Sequence, residues 1–324
     1  MVRMTPRSPF TDRQFGVLLH PSSLPGHDDV GTLGAEAYRF VDWLASTGAS
    51  IWQILPLNRN GQYDSPYFSY SSFAGNPWLV DLTVLHDAGL LPEPRLHDEV
   101  VDAPVPFADL ARTKRPQLLA AAEAFLADPS HAWWPQFRQF KADESWLTDT
   151  AHFFALKEEF DDAPWWAWPK PLRTRATRAT RASARKLAAR IAVWEALFFF
   201  FDLQWSELKA YANGKGIRVL GDLPIYVNHD SADVWLNPEQ FQLDAEGGLT
   251  VQSGVPPDYF SKTGQLWGNP LYRWAEMERD GFTWWIQRLR RCIELTDTVR
   301  IDHFRALAAY WEVPAGAADA TGGR

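Results

Sequence analysis

The residues best suited to chemistry stand in residues 298–305, Thr-Val-Arg-Ile-Asp-His-Phe-Arg. Residues 298–301 are β-branched or apolar apart from Arg300, the composition of a short strand buried in a parallel sheet. Asp302 and His303 then fall where that strand stops. A carboxylate at such a tip can attack an electrophilic carbon or carry a proton. By the period-two rule Arg300 shares a strand face with Asp302, and a fixed cation nearby lowers a carboxylate's pKa. That arrangement keeps Asp302 ionised, as a nucleophile must be. A buried Arg/Asp pair that only organises a loop is the structural alternative. Asp222 repeats the pattern, following residues 217–220, apolar apart from Arg218, and Gly221.

Two further stretches carry groups that could face a ligand. Residues 58–77, NRNGQYDSPYFSYSSFAGNP, read as a long loop whose hydroxyls and rings suit a sugar; Ser65 and Tyr67 lie within it. In residues 253–272, SGVPPDYFSKTGQLWGNPLY, the prolines and glycines argue against continuous helix or strand, so a long shaped loop is expected, with Asp258 and Trp267 as its polar and stacking groups. The 17 tryptophans point the same way, because indole offers an apolar face to sugar C–H groups and an N–H to hydroxyls, although many must be core.

The elements that must position these groups alternate in type. Strands are expected near 15–19, 51–55, 217–220 and 298–301. Between the first two, Leu33, Ala37, Phe40 and Leu44 recur at helical spacing, with Thr32 as a cap and Gly48 as a stop. A β-loop-α-β order implies parallel neighbours with a crossover helix, hence an α/β fold. A longer helix carries Leu187, Ile191, Trp194, Phe198, Phe201, Trp205 and Leu208 and is closed by Asn213-Gly214; its run 196–201 reads as a buried face. A further helical pattern, 282–295, runs into the 298–301 strand. Residues 90–171 shift in composition and read as an inserted, mainly helical subdomain. Arg175, Arg178, Arg181 and Arg185 fall at helical spacing and read as a solvated face.

Composition narrows the partners. Forty acidic against 32 basic residues give a net charge of -8, which argues against nucleic acid or an anionic membrane. Cys292 is the single cysteine, so no internal disulfide forms and a reducing, cytoplasmic home is expected. The start, MVRMTPRSPF, lacks the apolar core of a signal peptide, and the 196–201 run is too short to span a bilayer. No metal-ligand cluster, phosphate-cradling loop or cofactor motif is legible.

Seven segments, in order along nearly the whole chain, carry a specific resemblance: GVLLHPSSLPG, WQILPL, DSPYFSYSSFAGNP, HFFALKEEFDDAPWWAWP, GDLPIYVNHDSADVW, GVPPDYFSKTGQLWGNPLYRW and RIDHFRALAAYWEVP. The sequence resembles the 4-α-glucanotransferases of glycoside hydrolase family seventy-seven. The resemblance implies a (β/α)₈ TIM barrel with inserted subdomains, of which the first four strands are present here. It also implies a retaining transfer of a segment of an α-1,4-glucan to the 4-hydroxyl of another glucan or glucose, with no cofactor. Under it Asp302 is the nucleophile, Arg300 holds its charge, His303 contacts the donor sugar, and Asp222 is the acidic residue of the third strand. Ser65 and Tyr67 belong to the donor-site loop, and Asp258 and Trp267 to the loop that closes over the bound chain.

Two departures qualify the resemblance. Lys262 stands where the familiar form of its loop carries Glu, which bears on acceptor preference. A retaining mechanism also needs a second carboxyl about 5 Å from the nucleophile, and the family's Glu-Asp-Leu-Gly segment does not occur before Arg324. Glu312 is expected to be a loop residue, not a substitute. The chain therefore reads as a fragment of a transferase, inactive alone, with a non-catalytic α-glucan-binding protein and an α-glucan hydrolase as alternatives.

Overall fold

A computed structural model describes residues 13–61, 64–97 and 104–324. Seven strands follow in chain order: β1 (Gly16–Leu18), β2 (Ile51–Gln53), β3 (Arg218–Leu223), β4 (Val251–Val255), β5 (Gln265–Pro270), β6 (Thr298–Ile301) and β7 (Trp311–Pro314). Four of them form a parallel sheet in the order β1-β2-β3-β6, joined by helices, and the other three form an antiparallel sheet in the order β5-β4-β7. The parallel sheet is open among the described residues. Its C-terminal edge collects Asp222, Asp302 and the loop after β2, which is where crossover topology leaves room for a ligand.

Helix Ala35–Thr47 makes the β1–β2 crossover and ends at Gly48 in the left-handed conformation (φ 80°). Thr32 does not cap it. The N-cap is Gly34, and Thr32 instead donates its hydroxyl to Asp81 at 2.6 Å, tying this helix to the turn before Leu82–Asp87. Helix Ala188–Gly214, about 40 Å long at the usual rise per residue, is the spine of the molecule, and residues 196–201 are buried on every side. Helices Arg115–Ala127 and Leu147–Glu159 pack against it, as does β3. The spine ends at the expected Asn213-Gly214, and just beyond it Gly216 in the left-handed conformation (φ 79°) lets Ile217 N–H bond Ala212 O at 2.9 Å.

One hydrophobic core runs from the sheet into the helices of residues 107–159. Most of the large indoles belong to it. Trp52, Trp165, Trp205 and Trp235 are almost wholly buried and donate their N–H groups to Leu19 O, His229 O, Leu295 O and Leu172 O at 2.8 to 3.1 Å. Tryptophan enrichment therefore reports core packing first, since a buried indole needs only one acceptor to be satisfied. Arg175 leaves the predicted solvated helix face. It sits before helix Thr177–Lys186 with φ 51°, its guanidinium 5.2 Å from the Trp235 ring, while Arg178, Arg181 and Arg185 are exposed on that helix.

Two other expectations are corrected. Residues 253–272 are not one long loop: β4 and β5 pair across a register shift at Gln252/Gly254. A Cβ at Gly254 would lie 2.5 Å from Gln265 O, so the glycine that seemed to break a strand is what allows this one to pair closely. β6 is not deeply buried either. Among the described residues it has β3 as its sheet neighbour on one side, leaving Val299 and Ile301 half-buried and Arg300 exposed.

Buried neutral histidines make the fold acid-sensitive. His229 stacks on Trp166 with centroids 3.9 Å apart and donates Nε2–H to Gly247 O at 2.8 Å, and burial pushes its pKa down to about 4. His20, at the end of β1, is likewise lowered to about 4 by burial. The unfolded chain then binds more protons than the native one between about pH 6.5 and 4, so stability is lost as pH falls through that window. Thermal unfolding at pH 4.5 is expected roughly 5 °C or more below that at pH 7, with part of the difference removed by His229→Gln.

Candidate active site

The β3 and β6 tips lie side by side, with Asp222 paired to Arg300 and Leu223 to Ile301 in the ladder. Asp302 N–H continues the ladder to Leu223 O at 3.0 Å, so the backbone that carries the carboxylate is fixed by the sheet. Register does the rest. Arg300 projects between the two acids, donating Nη1–H to Asp222 Oδ2 at 2.8 Å and Nη2–H to Asp302 Oδ1. The two carboxylates differ in environment: the Asp222 side chain is 0% exposed and that of Asp302 is 38% exposed. Asp302 is therefore the one that can touch a ligand.

The loop after β2 brings a third partner. Tyr67 donates its phenol to Asp222 Oδ2 at 2.5 Å, across 155 residues of sequence. Ser65 shapes the turn that presents Tyr67, its hydroxyl accepting Tyr67 N–H at 3.3 Å and its carbonyl accepting Phe68 N–H at 3.0 Å. The loop is pinned at several points. Asn58 pairs with Gly75 and Asn60 with Ser69, Arg291 Nε–H reaches Phe73 O at 3.0 Å, and the Arg59 guanidinium lies 5.3 to 5.6 Å from the rings of Tyr70, Trp78, Phe154 and Trp194. A stretch without regular secondary structure is thus rigidly placed.

Electrostatics follow from burial and the shared cation. Burial pushes the Asp222 carboxyl above its ordinary range, opposed by the Tyr67 hydrogen bond and the Arg300 charge and reinforced by Asp302. Burial, then the bond to Asp222, pushes Tyr67 up to about 12, so the phenol stays protonated and donates. Burial works against the Arg300 charge, but Asp222 and Asp302 outweigh it and raise the guanidinium. Asp222 is the anchor for Tyr67 and Arg300, and its Oδ1 is buried without a hydrogen-bond partner.

A cavity of about 200 Å³ opens above this network, lined by Asp302, His303, Trp267, Tyr67, Tyr226 and Asn269 among others. His303 takes a left-handed conformation (φ 47°), which turns its ring against Trp267 at 5.3 Å in an edge-to-face contact. Sequence reasoning missed Tyr226 and Asn269. Tyr226 packs against Trp267, Tyr272 and His303, and its phenol oxygen is buried without a partner. Asn269 is held by Val227 O and the Ser253 hydroxyl. Tyr226 follows Asp222 by four residues in GDLPIYVNHD, but no periodicity marks it as facing the cavity.

Not every predicted residue gathers here. Asp258 sits at the exposed tip of the β4–β5 hairpin, outside the cavity lining, and accepts the N–H groups of Phe260 and Ser261 at 2.8 and 2.7 Å. Lys262 is exposed at the same tip. Glu312 lies in β7, where its carboxylate holds Arg324 at 2.8 Å. No group of three or more His, Cys, Asp or Glu side chains among the described residues has metal-binding geometry. Likewise, no described helix is long and apolar enough to cross a membrane.

Comparison with known proteins identifies the family. The 4-alpha-glucanotransferase family model of glycoside hydrolase family 77 matches residues 19–324. A 4-alpha-glucanotransferase of Thermus thermophilus is 48% identical over 314 residues, covering 96% of this chain and 62% of its own length. The chloroplastic/amyloplastic 4-alpha-glucanotransferase of Solanum tuberosum is 41% identical over 315 residues, covering 95% of this chain and 54% of its own length. Among solved structures, the amylomaltase of Streptococcus agalactiae in complex with acarbose superposes with a TM-score of 0.92 at 40% identity, covering 97% of this chain and 64% of that one. An amylomaltase of Corynebacterium glutamicum shares the fold, with a TM-score of 0.71 at 18% identity. The chain spans about three fifths of the length of the bacterial relatives it matches. With a family match over all but its first residues and relatives up to 48% identical along nearly its whole length, this chain belongs to the 4-alpha-glucanotransferases of glycoside hydrolase family 77.

Proposed function

We propose that this chain supplies the nucleophile and donor-sugar half of a retaining 4-α-glucanotransferase built on a (β/α)₈ barrel, acting on α-1,4-glucans and maltooligosaccharides in the cytoplasm. The observation that carries the reading is the state of Asp302. Among the described residues it is the one carboxylate lining the aromatic cavity, and it is ion-paired with Arg300. In the first step an Asp302 oxygen bonds the anomeric carbon as the glycosidic C–O bond breaks, and the leaving oxygen takes a proton from a general acid. In the second, the 4-hydroxyl of an acceptor glucan attacks that carbon, releases Asp302 and returns its proton to the same acid. Trp267 and Tyr226 supply apolar faces to the donor ring, His303 contacts its hydroxyls, and Tyr67 and Asp222 keep Arg300 in line. The Asp258 turn, with Tyr259 and Phe260 96% and 94% exposed, is the part that closes over a bound chain. Residues 90–171 are read as an insertion into the barrel.

Asp222 is not the missing acid. Its side chain is fully buried and its Oδ2 already receives Tyr67 and Arg300, so it cannot reach a leaving oxygen. We assign that role to a carboxyl outside these 324 residues. The full-length protein given maltotriose is expected to release glucose and build a ladder of longer maltooligosaccharides, read by chromatography of the products. Residues 1–324 alone are expected to give none, since general acid catalysis is worth about 10²–10⁴-fold. A rise in reducing ends with no product longer than the substrate would make the protein a hydrolase, and binding without turnover by the full-length protein would make it a glucan-binding protein.

A further inference from the structure

A groove of about 650 Å³ runs between the C-terminal end of helix Arg115–Ala127 and the start of helix Ala188–Gly214, and none of the residues lining it lines the Asp302 cavity. Its apolar surface comes from Leu126, Ala127, Leu187, Ala189, Ala192 and Val193, and no aromatic ring lines it. Ala127 and Ala189 are exposed and Leu126, Leu187 and Ala192 half-buried, so the described residues leave this surface uncovered. A row of charge continues the groove. Leu187 N–H bonds Ser183 O at 2.8 Å and Ile191 N–H bonds Leu187 O at 2.9 Å, so the helical pattern of Thr177–Lys186 carries across the junction into Ala188–Gly214. Arg178, Arg181, Arg185, Ala189 and Ala192 then follow one another at three- and four-residue spacing, on one face. Lys186 and Arg190, beside that face, are ion-paired with Glu159 and Glu158. Arg178, Arg181 and Arg185 are exposed and have no acidic partner among the described residues. Like charges at this spacing repel, so the row costs the helix stability that nothing in the described fold returns.

Charge and shape together narrow the partner. Without an aromatic ring the groove gives a sugar no face to stack on. Recessed and floored largely by alanines, it has no protruding apolar side chain to enter a bilayer. Nucleic acid would meet the arginines but leave the apolar groove empty, and the net charge of -8 opposes it. A helix with large apolar residues on one face and carboxylates along its flank meets both features at once. The alanines allow its backbone to come close, since interhelical distance is set by the side chains at the contact. We propose that this groove, with the arginine row that continues it, docks an acidic amphipathic helix of a partner protein. From Arg178 to Val193 the surface runs about 20 Å at the usual rise per residue, so a helix of about four turns spans it. Its apolar face fills the groove, and its carboxylates answer Arg178, Arg181 and Arg185.

The probe is a fluorescein-labelled synthetic peptide of about 18 residues, long enough for the four turns, with leucines at helical spacing on one face and glutamates flanking them. Its fluorescence anisotropy is titrated with the full-length protein. A Kd on the order of 10 μM is expected, weakening severalfold between about 50 and 300 mM salt as the exposed charges are screened. The double variant Arg181→Glu, Arg185→Glu reverses the row, and Ala189→Trp fills the groove from an exposed position. Each is expected to weaken binding at least about tenfold with the unfolding temperature unchanged. Ile293→Ser, which removes an exposed apolar side chain from another helix, is expected to leave binding intact. The peptide with serine for leucine, and the one with glutamine for glutamate, are expected to lose at least about tenfold as well. No binding of the parent peptide would overturn the proposal, as would equal binding of either altered peptide, indifference to the row and groove variants, or loss in Ile293→Ser alone. Self-association of the full-length protein, or uptake by anionic phosphatidylserine vesicles, that the same two variants abolish would make the occupant a second copy or a membrane and overturn the partner helix.

Discussion

Replacing Asp302 by Asn in the full-length protein is expected to lower maltotriose turnover by at least about 10³-fold, the scale on which enzymes lose rate when a covalent nucleophile is removed. The amide keeps the shape of the carboxylate but has no charge to donate to the anomeric carbon. The surrounding frame should persist. Asp302 N–H stays bonded to Leu223 O, Arg300 keeps Asp222 as its partner, and the Trp267–His303 contact does not involve the carboxylate. Maltotriose affinity should therefore stay within about threefold, since the site's binding faces are left in place. The decisive measurement is mass spectrometry of enzyme quenched during turnover. A covalent glycosyl adduct on a peptide containing Asp302 in the wild type, absent in the variant, is the expected result, and near-wild-type turnover by the variant removes Asp302 from the role.

Asp222→Asn is expected to separate activity from stability. Asp222 touches no substrate in this arrangement but fixes two groups that do or that hold one that does: Tyr67 directly and Asp302 through Arg300. Losing that charge frees Arg300 from one of its two partners and loosens a preorganised electrostatic site, for which about 10²–10³-fold in kcat is the usual scale. Folding stability should not fall in parallel. Burial raises the folded-state pKa of Asp222 above its ordinary value, so the native state binds more protons than the unfolded state just above that value, and stability declines as pH rises through the window. At neutral pH the ionised group therefore counts against the fold. An unfolding temperature at pH 7 equal to or above that of the wild type, with kcat down and KM little changed, is the expected pattern. A large drop in unfolding temperature would make Asp222 a structural residue and not a positioning one.

The residues decided more about the site than about its surroundings. Asp302, Arg300 and Asp222 were legible because a strand has a period of two and ends at a known edge; side-chain type and local position alone define that pattern. The helices were legible for the same reason, through apolar spacing. What failed were local signals that tertiary pairing overrides. Thr32 has the chemistry of a cap, but Asp81, distant in sequence, claims its hydroxyl. Gly254 has the chemistry of a strand breaker, but Gln265 approaches so closely that only glycine fits. The tryptophans could equally have lined a sugar site, and only packing assigned Trp52 and Trp205 to the core and Trp267 to the cavity. Tyr67 reaching Asp222 across 155 residues, and Arg300 shared between two acids, depend on which strands lie side by side. By itself the sequence determined which residues have the chemistry. Only the tertiary structure decided that Asp222 is buried and holds Tyr67 and Arg300 while Asp302 is open to the cavity, because burial is a property of neighbours that no residue carries in its own side chain.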